Sequence, residues 1–176
     1  MTKLLGLLRH AKSDWDDMGT RDFDRGLNDR GRKGAQLMGR YIADESPGFD
    51  LLLASPAARV KQTLEAGLPE MAARFDERLY LASSETLMET VRDHGGDAEA
   101  VLVSAHNPGL QELVFELIPP EREDARFEEA AVKFPTAAFA LFKLDIEDWS
   151  ELAPDCGTLV DFKRPRDLDP LLGPEG

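Results

Sequence analysis

The chain has 176 residues, a length that suits one compact domain with a substantial core. Asp plus Glu number 34 and Lys plus Arg number 21, which gives a formal net charge of -13. This charge argues against nucleic acid or anionic membranes as partners, because both bind to basic surfaces. The single cysteine, Cys156, and the lack of the roughly 20 consecutive apolar residues that span a bilayer favour a cytoplasmic protein.

The first half of the chain alternates between buried strands and amphipathic helices. Residues 3–8 form a short apolar run that is typical of a strand covered on both faces. Apolar residues then recur at helical spacing from Asn28, a plausible N-cap, to about Asp44. Residues 50–54 predict a second buried strand, and Ser55-Pro56 predicts a helix start with the serine as N-cap and the proline at the first helical position.

The second half repeats this alternation. Residues 100–105 predict another buried strand, and Asn107-Pro108 predicts a second helix start of the same kind. Residues 137–144 and 157–163 predict two later strands, which either pair as a hairpin or extend the edge of the sheet. The whole pattern predicts an α/β fold, a three-layer α/β/α sandwich around a mostly parallel central sheet.

The domain organisation follows from the same pattern. The chain shows no internal repeat and no long linker, so residues 1–164 are expected to form a single domain. Residues 165–176 are rich in Pro, Asp and Gly and are expected to form a loosely ordered C-terminal tail.

Polar motifs follow three of the predicted strands. They are Arg9-His10, Ser55-Pro56-Ala57-Ala58-Arg59 and His106-Asn107-Pro108. In open parallel sheets ligands bind at the carboxyl ends of the strands, so these motifs should converge in one crevice. Two arginines, two histidines and two helix N-termini in one place suit a phosphoryl group.

A histidine in this setting can act as the nucleophile. A neutral imidazole attacks phosphorus at neutral pH, and its phosphorylated form later releases phosphate to water. Arg9, Arg59 and a protonated His106 could supply positive charge around the transferring group without a metal. We therefore expect a metal-independent site with no cofactor.

The ordered set of motifs resembles the histidine phosphatase superfamily, also described as phosphoglycerate-mutase-like, and within it the SixA-type phosphohistidine phosphatases. The resemblance covers roughly residues 3–163 and rests on these segments: Leu8-Arg9-His10-Ala11, Ser55 to Thr63, Ser104 to Gly109, Lys12 to Trp15, Asp24 to Asn28, and Phe134 to Ala137. It implies a phosphoglycerate-mutase-like fold with His10 as the phosphate-accepting nucleophile. It further implies that Arg9, Arg59 and His106 form the phosphate pocket and that Arg25 makes an additional substrate contact.

The general acid is less clearly marked. The resemblance points to Glu85, because larger members of the superfamily carry a carboxylate after the third strand. Asp14, Asp16 and Asp17 compete for this role near the nucleophile. The acid is dispensable when the substrate is a phosphoimidazole, because the leaving imidazole can take its proton on the other ring nitrogen and its conjugate acid has a pKa of about 6.5.

Three functions remain open from the sequence. The leading hypothesis is a phosphatase that removes phosphate from phosphohistidine on a protein. A second hypothesis keeps this mechanism and replaces the protein with a small phosphorylated metabolite. The third, a noncatalytic phosphate-binding adaptor, is disfavoured by the presence of Arg9, His10, Arg59 and His106 together.

Overall fold

The computed structural model describes residues 2–16 and 18–172. Six strands form one sheet in the order β3-β2-β4-β1-β5-β6. Strands β3, β2, β4 and β1 run parallel to one another, and β5 is antiparallel to both β1 and β6. The strand bounds are β1 Lys3–Arg9, β2 Leu51–Ala54, β3 Ala73–Phe75, β4 Ala100–Ala105, β5 Phe139–Leu144 and β6 Gly157–Lys163.

Helices cover both faces of this sheet. One face packs against α1 and α2, and the other packs against α3, α4 and α5. The helix bounds are α1 Asp29–Glu45, α2 Ala58–Gly67, α3 Ser84–His94, α4 Gly109–Leu117, α5 Ala125–Val132 and α6 Pro165–Leu168. The predicted three-layer α/β/α sandwich with a mostly parallel sheet is confirmed.

The burial of β4, a central strand of the sheet, explains why its sequence is a continuous apolar run. All six residues of β4 are buried. Val101 and Val103 face the core under α3 and α4, while Leu102 faces the core under α1 and α2. A strand that contributes to two cores has no solvated face, so its sequence lacks the alternation of a half-exposed strand. Within the described part of the chain, no helix is long and apolar enough to cross a membrane.

The predicted helix starts are correct in one case and wrong in another. Asn28 caps α1, because its side chain accepts a hydrogen bond from the Gly31 amide at 2.7 Å. Ser55 does not cap α2, which begins at Ala58 after Ala57 at the cap position. Ser55 lies two residues before the cap position, too early to reach the second or third helical amide. Its buried hydroxyl is hydrogen-bonded to the His106 ring instead.

The start of α4 is intermediate between these cases. Pro108 occupies the cap position, and the helix begins at Gly109. The Asn107 side chain still accepts a hydrogen bond from the Gln111 amide, at 3.2 Å, in the first turn. Asn107 therefore still satisfies an amide in the first turn of α4, although it lies one residue before the cap position that the sequence pattern assigns to it.

Residues 165–172 of the predicted tail contain more regular structure than their composition indicates. Residues 165–168 form α6, and a short turn of 3-10 helix covers 170–172. Arg30 in α1 donates to the Leu171 carbonyl at 2.9 Å, and Lys33 lies 3.4 Å from the Asp169 carboxylate. These contacts attach the tail to α1, an arrangement that no local composition signals. The remainder of the predicted tail, 173–176, lies outside the described residues.

Helices α1 and α2 approach each other through a pair of glycines. A Cβ atom on Gly39 would lie 1.9 Å from the Gly67 carbonyl oxygen, and one on Gly67 would lie 2.3 Å from the Ala35 carbonyl oxygen. The obstructing atoms are backbone, so a side chain could enter only if the helices moved apart. This contact sets the position of α2, which carries Arg59.

We therefore expect the Gly39→Ala variant to unfold at a lower temperature than the wild type. Overpacking of this kind costs about 1–3 kcal/mol, and each kcal/mol corresponds to about 2–4 °C for a domain of this size. Thermal unfolding followed by circular dichroism measures the shift. Gly48→Ala is the matched control, because a Cβ there meets nothing within 4 Å. Equal melting temperatures for the two variants would contradict the close contact.

Candidate active site

The predicted motifs converge because of the register of three neighbouring strands. Arg9, the last residue of β1, pairs with Ala105, the last residue of β4. His10 and His106 therefore leave adjacent strands at the same level, and their ring centroids lie 5.3 Å apart. Ser55, which follows β2 on the other side of β4, is hydrogen-bonded to the His106 ring. The pocket lies at the carboxyl end of the parallel strands, as the fold class predicts.

Backbone contacts fix the position of His10. Its amide donates to the Ala105 carbonyl at 3.2 Å, and its carbonyl accepts from the Ala137 amide at 2.9 Å. The ring atom Nδ1 lies 2.7 Å from the Ala11 carbonyl oxygen. A carbonyl only accepts, so Nδ1 carries the proton and Nε2 keeps its lone pair. His10 is thus held in the tautomer that leaves the Nε2 lone pair available.

The imidazole of His10 stays neutral. Burial lowers its pKa to about 3, and the positive charges of Arg9 and Arg59 add to this effect. The hydrogen bond to Ala11 opposes the shift but does not cancel it. At neutral pH the nucleophilic form of His10 is therefore essentially fully populated.

Arg9 brings positive charge to the same pocket. Its Nη1 atom donates to the Phe134 carbonyl at 3.0 Å. Its Nε atom is buried and has no hydrogen-bond partner among the described residues. Burial lowers the pKa of Arg9, with a further contribution from Arg59, but an arginine remains charged at any working pH. A partly buried guanidinium with an unused N–H group suits an anionic ligand.

Arg59 forms the centre of a hydrogen-bonded cluster. Its guanidinium donates to the Asp22 carbonyl at 2.8 Å and to the Asp22 carboxylate at 3.1 Å. It also lies 3.3 Å from Nδ1 of His106. The Thr63 hydroxyl donates to the Arg59 backbone carbonyl at 2.7 Å, and the same hydroxyl oxygen accepts a hydrogen bond from the Ala11 amide at 2.9 Å. This chain of bonds links α2 to the loop after His10.

His106 is neutral in this arrangement. Burial lowers its pKa to about 4, and Arg59 adds to the shift. Because a guanidinium only donates, Nδ1 of His106 accepts, and Nε2 carries the proton that it donates to the Ser55 hydroxyl at 2.8 Å. The unliganded site thus holds two guanidinium cations and two neutral imidazoles. A bound phosphate dianion would raise the pKa of His106 and could make it a third cation.

Asp22 lines the pocket and Tyr80 packs behind it, although no sequence motif marks either residue. The Tyr80 hydroxyl donates to the Asp22 carboxylate, and the Tyr80 ring packs edge-on against the His106 ring at 5.4 Å. The hydrogen bond from Tyr80 lowers the pKa of Asp22, and the bond from Arg59 lowers it further. Asp22 is therefore an ionised carboxylate that occupies part of the Arg59 guanidinium in the unliganded protein.

Comparison with known proteins agrees with this geometry. The profile of the histidine phosphatase superfamily (branch 1) matches residues 5–80. The uncharacterized protein Rv1276c of Mycobacterium tuberculosis is 36% identical over 160 residues, which cover 90% of this chain and 100% of that protein. A candidate phosphohistidine phosphatase SixA from Nakamurella multipartitia is 27% identical, with a TM-score of 0.82 over 94% of this chain and 97% of that one. The candidate SixA from Agrobacterium tumefaciens is 29% identical, with a TM-score of 0.76 over 93% and 98%.

The chain belongs to the histidine phosphatase superfamily, in its SixA-type branch. The fold is accordingly phosphoglycerate-mutase-like, and the protein is a phosphatase. Four residues that this resemblance implies for the site, Arg9, His10, Arg59 and His106, line one pocket.

Arg25, the further substrate contact implied by the family pattern, lies apart from these four. It is buried, and its guanidinium donates to the Asp14 carbonyl at 3.0 Å and to the Thr20 carbonyl at 3.1 Å. The Trp15 ring covers it at 3.9 Å. In this phosphatase Arg25 holds the loop that carries Trp15 at the mouth of the pocket, and a direct substrate contact stays a prediction.

Three of the expected general acids, Glu85, Asp14 and Asp16, do not line the pocket. Glu85 is in the first turn of α3, its side chain is 68% exposed, and it lies 3.4 Å from Arg92. The Asp14 carboxylate accepts a hydrogen bond from the Asp16 amide within their own loop. Asp17 lies outside the described residues. Among the described residues that line the pocket, Asp22 supplies the carboxylate.

We expect the Asp22→Asn variant to bind inorganic phosphate more tightly than the wild type. The substitution removes a negative charge that competes with phosphate for Arg59. A half-exposed ion pair contributes up to about 1 kcal/mol, so the inhibition constant for phosphate should fall about fivefold. Product inhibition of the phosphatase reaction measures this constant.

Asp24→Asn is the control for this variant. Asp24 lies in the same loop but pairs with the exposed Arg21 at 2.8 Å. The Asp24→Asn variant should leave the inhibition constant for phosphate unchanged. Weaker phosphate inhibition in Asp22→Asn would mean that Asp22 chiefly orients Arg59 and does not compete with the ligand.

Proposed function

We propose that this phosphatase removes phosphate from phosphohistidine on a protein through a covalent intermediate on Nε2 of His10. The observation that carries the proposal is the protonation state of the pocket. Its nucleophile is neutral and its carboxylate, Asp22, is ionised. The pocket is equipped to attack and hold a phosphoryl group, whereas its carboxylate, Asp22, is not in the acid form that could protonate a leaving group.

The first step transfers the phosphoryl group to His10. Nε2 attacks phosphorus in line while the bond from phosphorus to the substrate's imidazole nitrogen breaks. Arg9 and Arg59 hold the phosphoryl oxygens and balance their charge. The leaving imidazole departs in neutral form because its other ring nitrogen is protonated, so the protein supplies no proton.

The second step returns the protein to its starting state. Water attacks the phosphorus, the bond to Nε2 breaks, and inorganic phosphate leaves with the oxygen of the water. Because the hydrogen bond from Nδ1 to the Ala11 carbonyl persists, His10 leaves as a neutral imidazole with its lone pair again on Nε2. His10 is therefore ready for the next cycle without a change of tautomer.

The leaving group distinguishes this substrate from phosphate monoesters. An alkoxide needs a proton as it departs, and general acid catalysis typically contributes about 10²–10⁴-fold to such steps. Glu85 is exposed and lies outside the pocket, and Asp22 is held as a carboxylate. A phosphoimidazole avoids this requirement, which favours it over a sugar phosphate or nucleotide.

The rim of the pocket favours a protein over a small metabolite. Trp15 and Leu81 line the pocket, yet they are 59% and 56% exposed. Exposed apolar side chains around a polar site are typical of surfaces that contact other proteins. A small phosphorylated metabolite remains the alternative substrate, because the pocket is open enough to accept one.

Two broader expectations accompany this proposal. We propose that residues 1–164 form the catalytic domain and that the protein works in the cytoplasm without metal or cofactor. Among the described residues no three His, Cys, Asp or Glu side chains gather as a metal site. A noncatalytic adaptor role is disfavoured, because the His10 tautomer leaves the Nε2 lone pair available for attack on phosphorus, which simple phosphate binding does not need.

A matched pair of peptides tests the substrate class. One peptide carries phosphohistidine, and the other carries phosphoserine at the same position. We expect kcat/KM to be at least about 100-fold higher for phosphohistidine, the size of a missing general acid. A chelator should leave both rates unchanged. Equal or faster hydrolysis of the phosphoserine peptide would overturn the proposal, and high activity only on sugar phosphates or nucleotides would favour the metabolite alternative.

A further inference from the structure

A second pocket lies directly beside the reaction pocket, and cationic side chains surround it. Lys12 and Thr136 line both pockets. The walls of the second pocket are apolar and include Ala11, Ala137 and Pro165. Its cationic residues are Lys12, Arg30, Lys133, Arg164 and Arg166. We refer to this pocket as the basic annex.

The basic annex is positively charged, whereas the chain as a whole is negatively charged. The protein has 34 acidic and 21 basic residues, yet five of the basic residues line this one pocket. The described residues that line it include no carboxylate. A protein with a net charge of -13 repels an acidic partner over most of its surface, so attraction is confined to places of this kind.

The cations of the basic annex have different tasks. Arg164 pairs with Glu129 at 2.9 Å and with Asp167 at 3.0 Å, so its charge is used within the fold. Lys133 and Arg166 are exposed, and neither forms an ion pair with a described carboxylate. These two side chains are therefore the ones best placed to meet a charge on a partner.

The position of the basic annex beside His10 identifies the partner. A substrate with its phosphoryl group at His10 places neighbouring residues over Lys12 and Thr136, at the border of the two pockets. We infer that the basic annex binds a carboxylate-bearing segment of the phosphorylated protein, next to its phosphohistidine. This inference rests on the proposed function. The apolar walls accept the methylene groups of Asp and Glu side chains, and the cationic rim pairs with their carboxylates.

Two phosphohistidine peptides and two double variants test this inference. The acidic peptide carries Asp and Glu around the phosphohistidine, and the neutral peptide carries Asn and Gln at the same positions. The test variant is Lys133→Glu/Arg166→Glu. The control is Arg32→Glu/Lys143→Glu, which changes the net charge equally at exposed positions outside the basic annex.

We expect the test variant to raise KM for the acidic peptide about tenfold, as two partly exposed ion pairs are lost and repulsion replaces them. Its kcat should stay within about twofold of the wild type. The control variant should change KM by less than about threefold, and about 0.5 M salt should remove the preference for the acidic peptide. Melting temperatures show that both variants are folded.

The possible failures can be told apart. Equal KM values for the two peptides on the wild type would overturn the basic annex as a docking site and leave the proposed function intact. Equal effects of the test and control variants would overturn it as well. Failure to dephosphorylate either peptide would overturn the proposed function and this inference together. Fructose 1,6-bisphosphate serves as a small substrate that carries a second phosphate. If the test variant raises KM for this compound and for neither peptide, the basic annex binds a small second anion, which contradicts the protein partner.

Discussion

The pairing of β4 with its two neighbours is the constraint on which the site depends. β4 lies between β2 and β1 and runs parallel to both. Because Arg9 pairs with Ala105, the residues that follow these two strands begin side by side, and they are His10 and His106. Tight contact between α1 and α2 at Gly39 and Gly67 then brings Arg59 to the same edge. Exposed Trp15 and Leu81 line the pocket, which is open to solvent at its mouth.

Burial beside two arginines determines how this pocket works. It keeps His10 and His106 neutral, whereas a histidine in water titrates near pH 6.5. Neutrality leaves His10 with the lone pair that the proposed attack on phosphorus requires, and the positive charge of the unliganded pocket is carried by the arginines. A hydrogen bond from Tyr80, together with Arg59, holds Asp22 as a carboxylate, so Asp22 does not offer the pocket a carboxylic acid proton. One electrostatic arrangement thus supports both the proposed attack on phosphorus and the proposed preference for a leaving group that carries its own proton.

The sequence predicts the parts of this molecule that local patterns encode. Apolar runs predict the buried strands, helical spacing after Asn28 predicts its cap, and motifs that follow the strands predict the convergence of the site. The converging residues are Arg9, His10, Arg59 and His106. Other features depend on contacts between distant segments. Ser55 pairs with His106 and so does not cap α2, and Asp22 meets Arg59 only after the chain folds. Residues 169–171 are held against the fold by Arg30 and Lys33 of α1, contacts that the composition of this segment does not reveal.

The most direct test of the account is the identity of the phosphorylated atom. A phosphohistidine peptide is mixed with the protein, the reaction is stopped in alkali within milliseconds, and the attached phosphate is mapped by mass spectrometry and phosphorus NMR. The account predicts phosphate on Nε2 of His10 in the wild type and in His94→Ala, a variant of a histidine that bonds Asp76 away from the pocket. It predicts none in His10→Ala. Full turnover by His10→Ala, or phosphate attached to Nδ1 or to another residue, would contradict it.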